Sequence, residues 1–325
     1  MQILTPLSNR ADMIPLSEAG ADELYFGFRD DEWGRRFGEY SDINRMSGFR
    51  QRANSVSIDE VCETIREIHG LGMKAYVTLN APAYSQAQLD YMEEYFRIFS
   101  GEKPDGVIVS GPAPAKMAAR YGIRAVASTM CGIYNAEIAR YYAEEGVQRI
   151  ILPREMNLEE IAEMAEQFPQ LEFEVFLMRN GCVFSDSHCL GMHSRTYGSL
   201  CSAVRHGPFA MVSDQHDFKT IHDLEWTSML FNESYRGYAC GLCAIYRLLQ
   251  SHISAAKIVG RADDPKKIVS DVRLVRENLS IAGQCASEEE YLKKMRFPRD
   301  HYRMCKQGMS CYYPEVRFGK EPFNS

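Results

Sequence analysis

The sequence predicts an α/β protein built as a closed (β/α)8 TIM-like barrel, with a cysteine-rich excursion between the seventh and eighth strands and a short C-terminal tail. Three observations predict it. A unit of amphipathic helix, then glycine or proline, then short apolar strand recurs through the first 180 residues. Eight segments read as strands, at residues 2–5, 23–27, 74–80, 106–110, 123–128, 147–152, 171–176 and 256–260. Helical stretches join most of them, and alternating strand and helix implies a parallel sheet with right-handed crossovers. An open doubly wound sheet also fits this alternation. Eight units favour closure, and the strand order that decides is not written in the sequence.

Each junction has a local reason. Glu18-Ala19-Gly20-Ala21-Asp22 ends a helix ahead of Glu23-Leu24-Tyr25-Phe26-Gly27, and His69-Gly70-Leu71-Gly72 precedes the third strand. Pro104, Gly122, Gly146 and Pro169 stand before the fourth to seventh strands. Glycine after a helix enters the left-handed region without a Cβ clash. Ile58, Val61, Ile65 and Ile68 fall on one helical face, with Asp59, Glu60, Glu63 and Arg66 elsewhere. Asn157-Leu158-Glu159-Glu160 opens another helix with a capping-box pattern. A last barrel helix starts after Asp264-Pro265.

The organisation expected is a barrel over residues 1–284, including the excursion at 181–255, followed by a cysteine-containing tail at 285–325. The 325 residues are 45% apolar and 25% charged, enough to build a packed core. A net charge of −7 argues against a broad nucleic-acid-binding surface and leaves room for a local basic patch. No run of about 18 apolar residues suggests a membrane span. The start, Met1-Gln2-Ile3-Leu4-Thr5-Pro6, lacks the basic and apolar regions of a signal peptide, so a cytoplasmic location is expected. In that reducing compartment ten cysteines read as metal ligands, nucleophiles or buried thiols rather than disulfides.

Loops as long as the excursion are usually functional. Cys182 directly follows the seventh strand, which in a barrel places it on the C-terminal face where active sites sit. Cys189, Cys201 and Cys240 follow at spacings that match neither a ferredoxin nor a zinc finger. Spacing alone therefore leaves open that these thiols pack as small hydrophobes.

The chain resembles peptidase family U32 over about residues 1–280. These collagenase-like proteins include bacterial oxygen-independent hydroxylation factors for ubiquinone, tRNA and rRNA. The resemblance is carried by Glu18-Ala19-Gly20-Ala21-Asp22, Val77-Thr78-Leu79-Asn80, Ala127-Ser128-Thr129, Arg154-Glu155 and Leu158-Glu159-Glu160-Ile161. Glu172-Phe173-Glu174-Val175-Phe176, Lys257-Ile258-Val259-Gly260-Arg261 and the Arg-rich stretch Arg50-Gln51-Arg52-Ala53-Asn54 extend it. It implies a 4Fe–4S cluster on Cys182, Cys189, Cys201 and Cys240, because the family's first ligand pair has six intervening residues and its last ligand stands seventeen residues before the motif lysine, here Lys257. The chain departs from the family at Arg179-Asn180 before the first ligand, and at Met130, Gly111 and Val259. These positions fall where barrel loops should meet substrate.

Other residues carry two readings each. Arg50, Arg52, Asn54, Asn80, Arg154 and Glu155 are expected near strand C-terminal ends, either as a pocket that clamps a carboxylate or phosphate or as ion pairs on the rim. Cys243, Cys285, Cys305 and Cys311 suggest a second metal site, for zinc or another cluster, or packed thiols. Cys62 and Cys131 read as packing residues. His188, His193, His206, His216 and His222 crowd the excursion without ligand spacing. Lys293, Lys294, Arg296, Arg299, Arg303 and Lys306 form a basic stretch that suits RNA phosphates or a solvated helix face.

Three functions follow: a redox or hydroxylation enzyme acting on an RNA or small organic acid, a peptidase, and a non-catalytic cluster-binding subunit of a complex with a protein partner. No Gly-x-Ser-x-Gly or His-Glu-x-x-His motif supports the peptidase.

Overall fold

A computed structural model describes residues 1–39, 41–182, 185–189, 235, 237–298, 305 and 310–317. The strands are β1 (Gln2–Pro6), β2 (Glu23–Phe28), β3 (Asn54–Ser55), β4 (Lys74–Leu79), β5 (Gly106–Val109), β6 (Ala125–Ala127), β7 (Val147–Ile151), β8 (Glu172–Met178) and β9 (Ala255–Ile258). Every pairing between them is parallel. β1 bonds to both β2 and β9, which closes eight strands into a TIM barrel. The ninth, β3, only extends the C-terminal end of β2, through Gly27↔Asn54 and Phe28↔Ser55. All eight barrel strands fall on segments expected from the sequence. The two-residue β3 has no apolar run to announce it.

The helices are α1 (Met13–Ala19), α2 (Asp31–Phe37), α3 (Ile58–Gly70), α4 (Gln86–Glu102), α5 (Pro112–Arg120), α6 (Ala136–Glu144), α7 (Leu158–Gln167), α8 (Ile245–Gln250), α9 (Pro265–Gly283) and α10 (Glu288–Lys294). α3 buries Val61, Cys62, Ile65 and Ile68 against the barrel, so Cys62 packs as expected. α7 starts on a full capping box: Asn157 Oδ1 accepts from the Glu159 and Glu160 amides at 3.0 Å, and Glu160 Oε2 accepts from the Asn157 amide at 2.8 Å. Aromatic side chains fasten α2 to α4, with Trp33 fully buried against Tyr91 and Tyr95.

The barrel interior carries charge. Neighbouring strands are in register at Arg149↔Glu172 and Phe176↔Lys257, and side chains alternate faces along a strand, so alternate positions point into the lumen. Arg149 donates to both Glu23 oxygens at 2.6 and 2.9 Å and to Glu172 at 2.8 Å. Lys257 donates to Glu174 at 2.7 Å and lies 4.1 Å from the Tyr25 ring centre. Burial lowers the Lys257 pKa and Glu174 opposes the shift. The lysine of the Lys257–Arg261 motif is thus a partner in this network.

Residues 310–317 of the C-terminal tail are part of the barrel's rim. Cys240 forms an antiparallel bridge to Met178 and a parallel bridge to Cys311, which attaches the tail to the end of β8. Tyr312 and Tyr313 are buried, and their hydroxyls donate to Arg179 O at 2.6 Å and Phe176 O at 3.0 Å. Glu315 accepts from the Leu158 amide at the start of α7, at 2.8 Å. The reason is chemical: aromatic rings with satisfied hydroxyls bury apolar area without orphaning a polar group.

Candidate functional site at the barrel mouth

The C-terminal ends of the strands converge on a cluster of arginines and amides. Arg261, three residues past β9, is buried and donates to Thr78 Oγ1 at 3.0 Å and Asn44 Oδ1 at 3.2 Å. Gly27 makes room for it: a Cβ there would land on Arg261 Nη1 and stand 2.8 Å from Asn54 Oδ1. Gly260, at φ 133°, turns the chain so that Arg261 points back over the barrel, a conformation that glycine adopts without strain. Burial lowers the guanidinium to about 10, so it remains charged at neutral pH. Its hydrogen-bond partners among the described residues, Thr78 and Asn44, are neutral.

Amides brace this arginine. Asn44 donates to Phe28 O at 2.9 Å and Asn54 Oδ1 at 2.8 Å, and Asn54 donates to Met46 O at 2.9 Å and Arg50 O at 3.0 Å. Asn80 donates to Ser128 Oγ at 3.1 Å and accepts from the Arg45 amide. Beside them a pocket of about 260 Å³ opens between Ser8, Gly27, Gln51 and Asn54.

Residues 185–189, in the loop after β8, lie against the same mouth. Among them Asp186, almost fully buried, pairs with Arg154 and lies 2.6 Å from Arg45, while Thr129 Oγ1 donates to it at 3.2 Å. Arg154 stacks 3.6 Å from the Phe176 ring centre, and its Nε is buried with no hydrogen-bond partner among the described residues. Asp186 stands between Cys182 and Cys189, both partly buried, so this carboxylate fixes the cysteine-bearing loop to the mouth. The backbone enters that loop through Arg179 and Asn180, both at positive φ, held by Asp271 and by Asp263 at 2.6 Å.

The predicted residues divide. Asn54, Asn80 and Arg154 are at the mouth. Arg50 instead pairs with Glu39 at the surface, and Arg52 and Glu155 are exposed. Cys201, His193, His206, His216, His222, Arg299, Arg303 and Lys306 lie outside the described residues, as does the His188 side chain. Cys131 is tucked against Val109 O and the Gly111 amide. Lys293 and Lys294 pair with Glu289 and Glu290, and Arg296 with Glu277, which is the solvated-face arrangement. Sequence reasoning missed Arg261, Asn44 and Asp186 as site residues. The signal for Arg261 was its place just beyond a strand's C-terminal end, where barrel residues read as functional.

An arginine-lined mouth under a thiol-bearing loop makes this a TIM-barrel protein with its candidate site on the C-terminal face. The chain belongs to peptidase family U32, whose model matches residues 9–315. It is 24% identical over 298 residues to the tRNA hydroxylation protein P1 of Bacillus subtilis, covering 90% of this chain and 65% of that protein. It is 25% identical over 192 residues to the tRNA hydroxylation protein P of Helicobacter pylori, covering 58% and 42%. A collagenase of Porphyromonas gingivalis is 22% identical over 203 residues, covering 62% and 43%. The chain thus spans less than two thirds of the length of these relatives. No described helix is long and apolar enough to cross a membrane.

Proposed function

We propose that this chain supports oxygen-independent hydroxylation of RNA, with tRNA the first substrate to test. The observation that carries the reading is Arg261, a buried cation at the mouth whose described partners are neutral. Burying a charge is costly unless it is paired, so the site is complementary to an anion such as a phosphate or carboxylate. The relatives named for tRNA hydroxylation support the choice of RNA.

The thiols on the docked loop, Cys182 and Cys189, have the donor chemistry for an iron–sulfur cluster together with Cys201 and, by the resemblance, Cys240. Such a cluster supplies electron transfer that side chains cannot. The chain's own residues do the rest: Arg261 and Arg154 hold the anion, Asn44, Asn54 and Thr78 fix Arg261's orientation, and the docked loop covers the mouth. Replacing C–H by C–OH without dioxygen requires a separate organic oxygen donor that gives up an oxygen atom and is itself reduced by the two electrons the substrate loses, so the mouth must admit a small oxygen donor as well. The collagenase relative favours a peptidase as the second reading.

The test is a deletion strain grown without oxygen, its tRNA nucleosides analysed by mass. One nucleoside should lose an oxygen atom, and the intact gene should restore it while Cys182→Ser and Arg261→Gln do not. Unchanged RNA in the deletion strain, with peptide cleavage by the purified chain, would overturn the proposal in favour of the peptidase.

A further inference from the structure

Asp186 fills a place that it does not fully satisfy. Its carboxylate is 1% exposed and meets three side chains from separate elements: Arg154 just past β7, Thr129 just past β6, and Arg45 from the loop between α2 and β3. Two polar atoms of this cluster are buried without a hydrogen bond among the described residues. One is Arg154 Nε, on a side chain only 7% exposed. The other is Asp186 Oδ1, which lies 2.6 Å from Arg45 Nη1 but out of line for a hydrogen bond. Buried polar atoms are normally paired, and leaving one unpaired costs free energy. Both orphans belong to the meeting of one short, planar carboxylate with two guanidinium groups that approach from different directions.

A phosphate suits that meeting better. Its oxygens are arranged tetrahedrally, so two guanidinium forks can pair with it from different sides. We propose that Arg45, Arg154 and Thr129 form a phosphate subsite at the barrel mouth, occupied by the Asp186 carboxylate until a phosphate of the substrate displaces it. The subsite rests on the reading of the mouth as an anion site, and it adds the residue that competes with the anion.

The surroundings agree with an exchange of one anion for another. Burial lowers the Arg261 pKa, and Arg45 lowers it further, so a third cation near the first two favours an incoming anion. Neutral groups seat the backbone that carries Asp186. The Tyr134 hydroxyl hydrogen-bonds to Ser185 and, at 3.2 Å, to Ser187. Gly132, at φ 62°, lets this segment pass so close that a Cβ there would stand 3.0 Å from Ser187 Cβ. The seat can therefore be weakened without touching either arginine.

Inorganic phosphate is the probe, titrated calorimetrically into the full chain purified without oxygen. Asp186→Asn keeps the side chain's shape and removes the competing charge. Phosphate should then bind about tenfold tighter than to the parent, which is what one charge-assisted contact is worth. Acetate should gain much less. Adding Arg154→Gln to Asp186→Asn should cancel the gain. Tyr134→Phe leaves the arginines and Asp186 in place; it should tighten phosphate by a smaller factor, and it decides the matter if Asp186→Asn does not fold. Phosphate affinity that is unchanged or weaker in folded Asp186→Asn would overturn the subsite and leave Asp186 a structural tether. A gain that survives Arg154→Gln would place the anion elsewhere, and an equal gain for acetate would remove the preference for phosphate; either result overturns the proposal. A phosphate gain alongside unchanged tRNA in the deletion strain would sink RNA hydroxylation and leave the subsite standing.

Discussion

Replacing Arg149 by Met removes the cation on which two buried carboxylates converge. Arg149 is 1% exposed, and Glu23 and Glu174 are fully buried. Glu23 receives two hydrogen bonds from it, and Glu174 lies 3.6 Å away. At an effective dielectric constant of about 20, opposite unit charges about 4 Å apart attract by about 4 kcal/mol. Glu174 keeps Lys257, but among the described residues Glu23 keeps only the Tyr76 hydroxyl at 3.3 Å and Lys74 at 3.6 Å, whose side chain is 46% exposed. Arg149's own desolvation cost disappears with it, so the net loss should be about 3–5 kcal/mol, the usual cost of leaving a buried charge uncompensated. That is a large share of a domain stability of about 5–15 kcal/mol. Urea denaturation followed by far-ultraviolet circular dichroism measures it. Adding Glu23→Gln removes the orphaned charge and should recover about 1–3 kcal/mol. A single variant within about 1 kcal/mol of the parent, or a double variant weaker than the single, would refute the claim that the lumen charges are mutually dependent.

Two further outcomes are expected from local geometry. Gly27→Ala should destabilise by about 1–3 kcal/mol and abolish the proposed hydroxylation, because the new methyl takes Arg261's place, whereas Gly70→Ala, with open space around it on α3, should be neutral or slightly stabilising in the same denaturation series. Asp42 is raised to about 6 by burial, with Arg29 opposing the shift. Its folded-state pKa thus exceeds the unfolded value near 4, so the chain loses stability as pH rises through that interval. Asp42→Asn should therefore stabilise at pH 7 and change nothing at pH 3.5, a contrast that denaturation midpoints at the two pH values would settle.

The sequence by itself determined the barrel's strands and the helices between them. Glycine and proline punctuation, apolar strand runs and the 3.6-residue spacing on α3 are local signals, and each concerns neighbours in the chain. They marked all eight barrel strands and the capping box of α7. They also placed Cys182 and Arg154 at strand ends, because in a barrel the C-terminal face follows directly from strand direction. Closure, by contrast, rests on β1 meeting β9 across the whole chain, and no local pattern encodes that contact. The site's electrostatics needed the third dimension too. Arg50 and Arg52 read as a clamp in sequence, yet the turn at Arg50 sends its guanidinium outward to Glu39, while Arg261, more than 200 residues away, occupies the interior. Asp186 looks like an ordinary loop carboxylate until Arg45, from the loop between α2 and β3, and Arg154, just past β7, arrive beside it. Cysteine count announced thiol chemistry, but only the pairing of Cys240 with Cys311 decided which thiols share a neighbourhood. Periodicity reports which side of an element faces the core; which charges meet there depends on how elements far apart in the chain pack together.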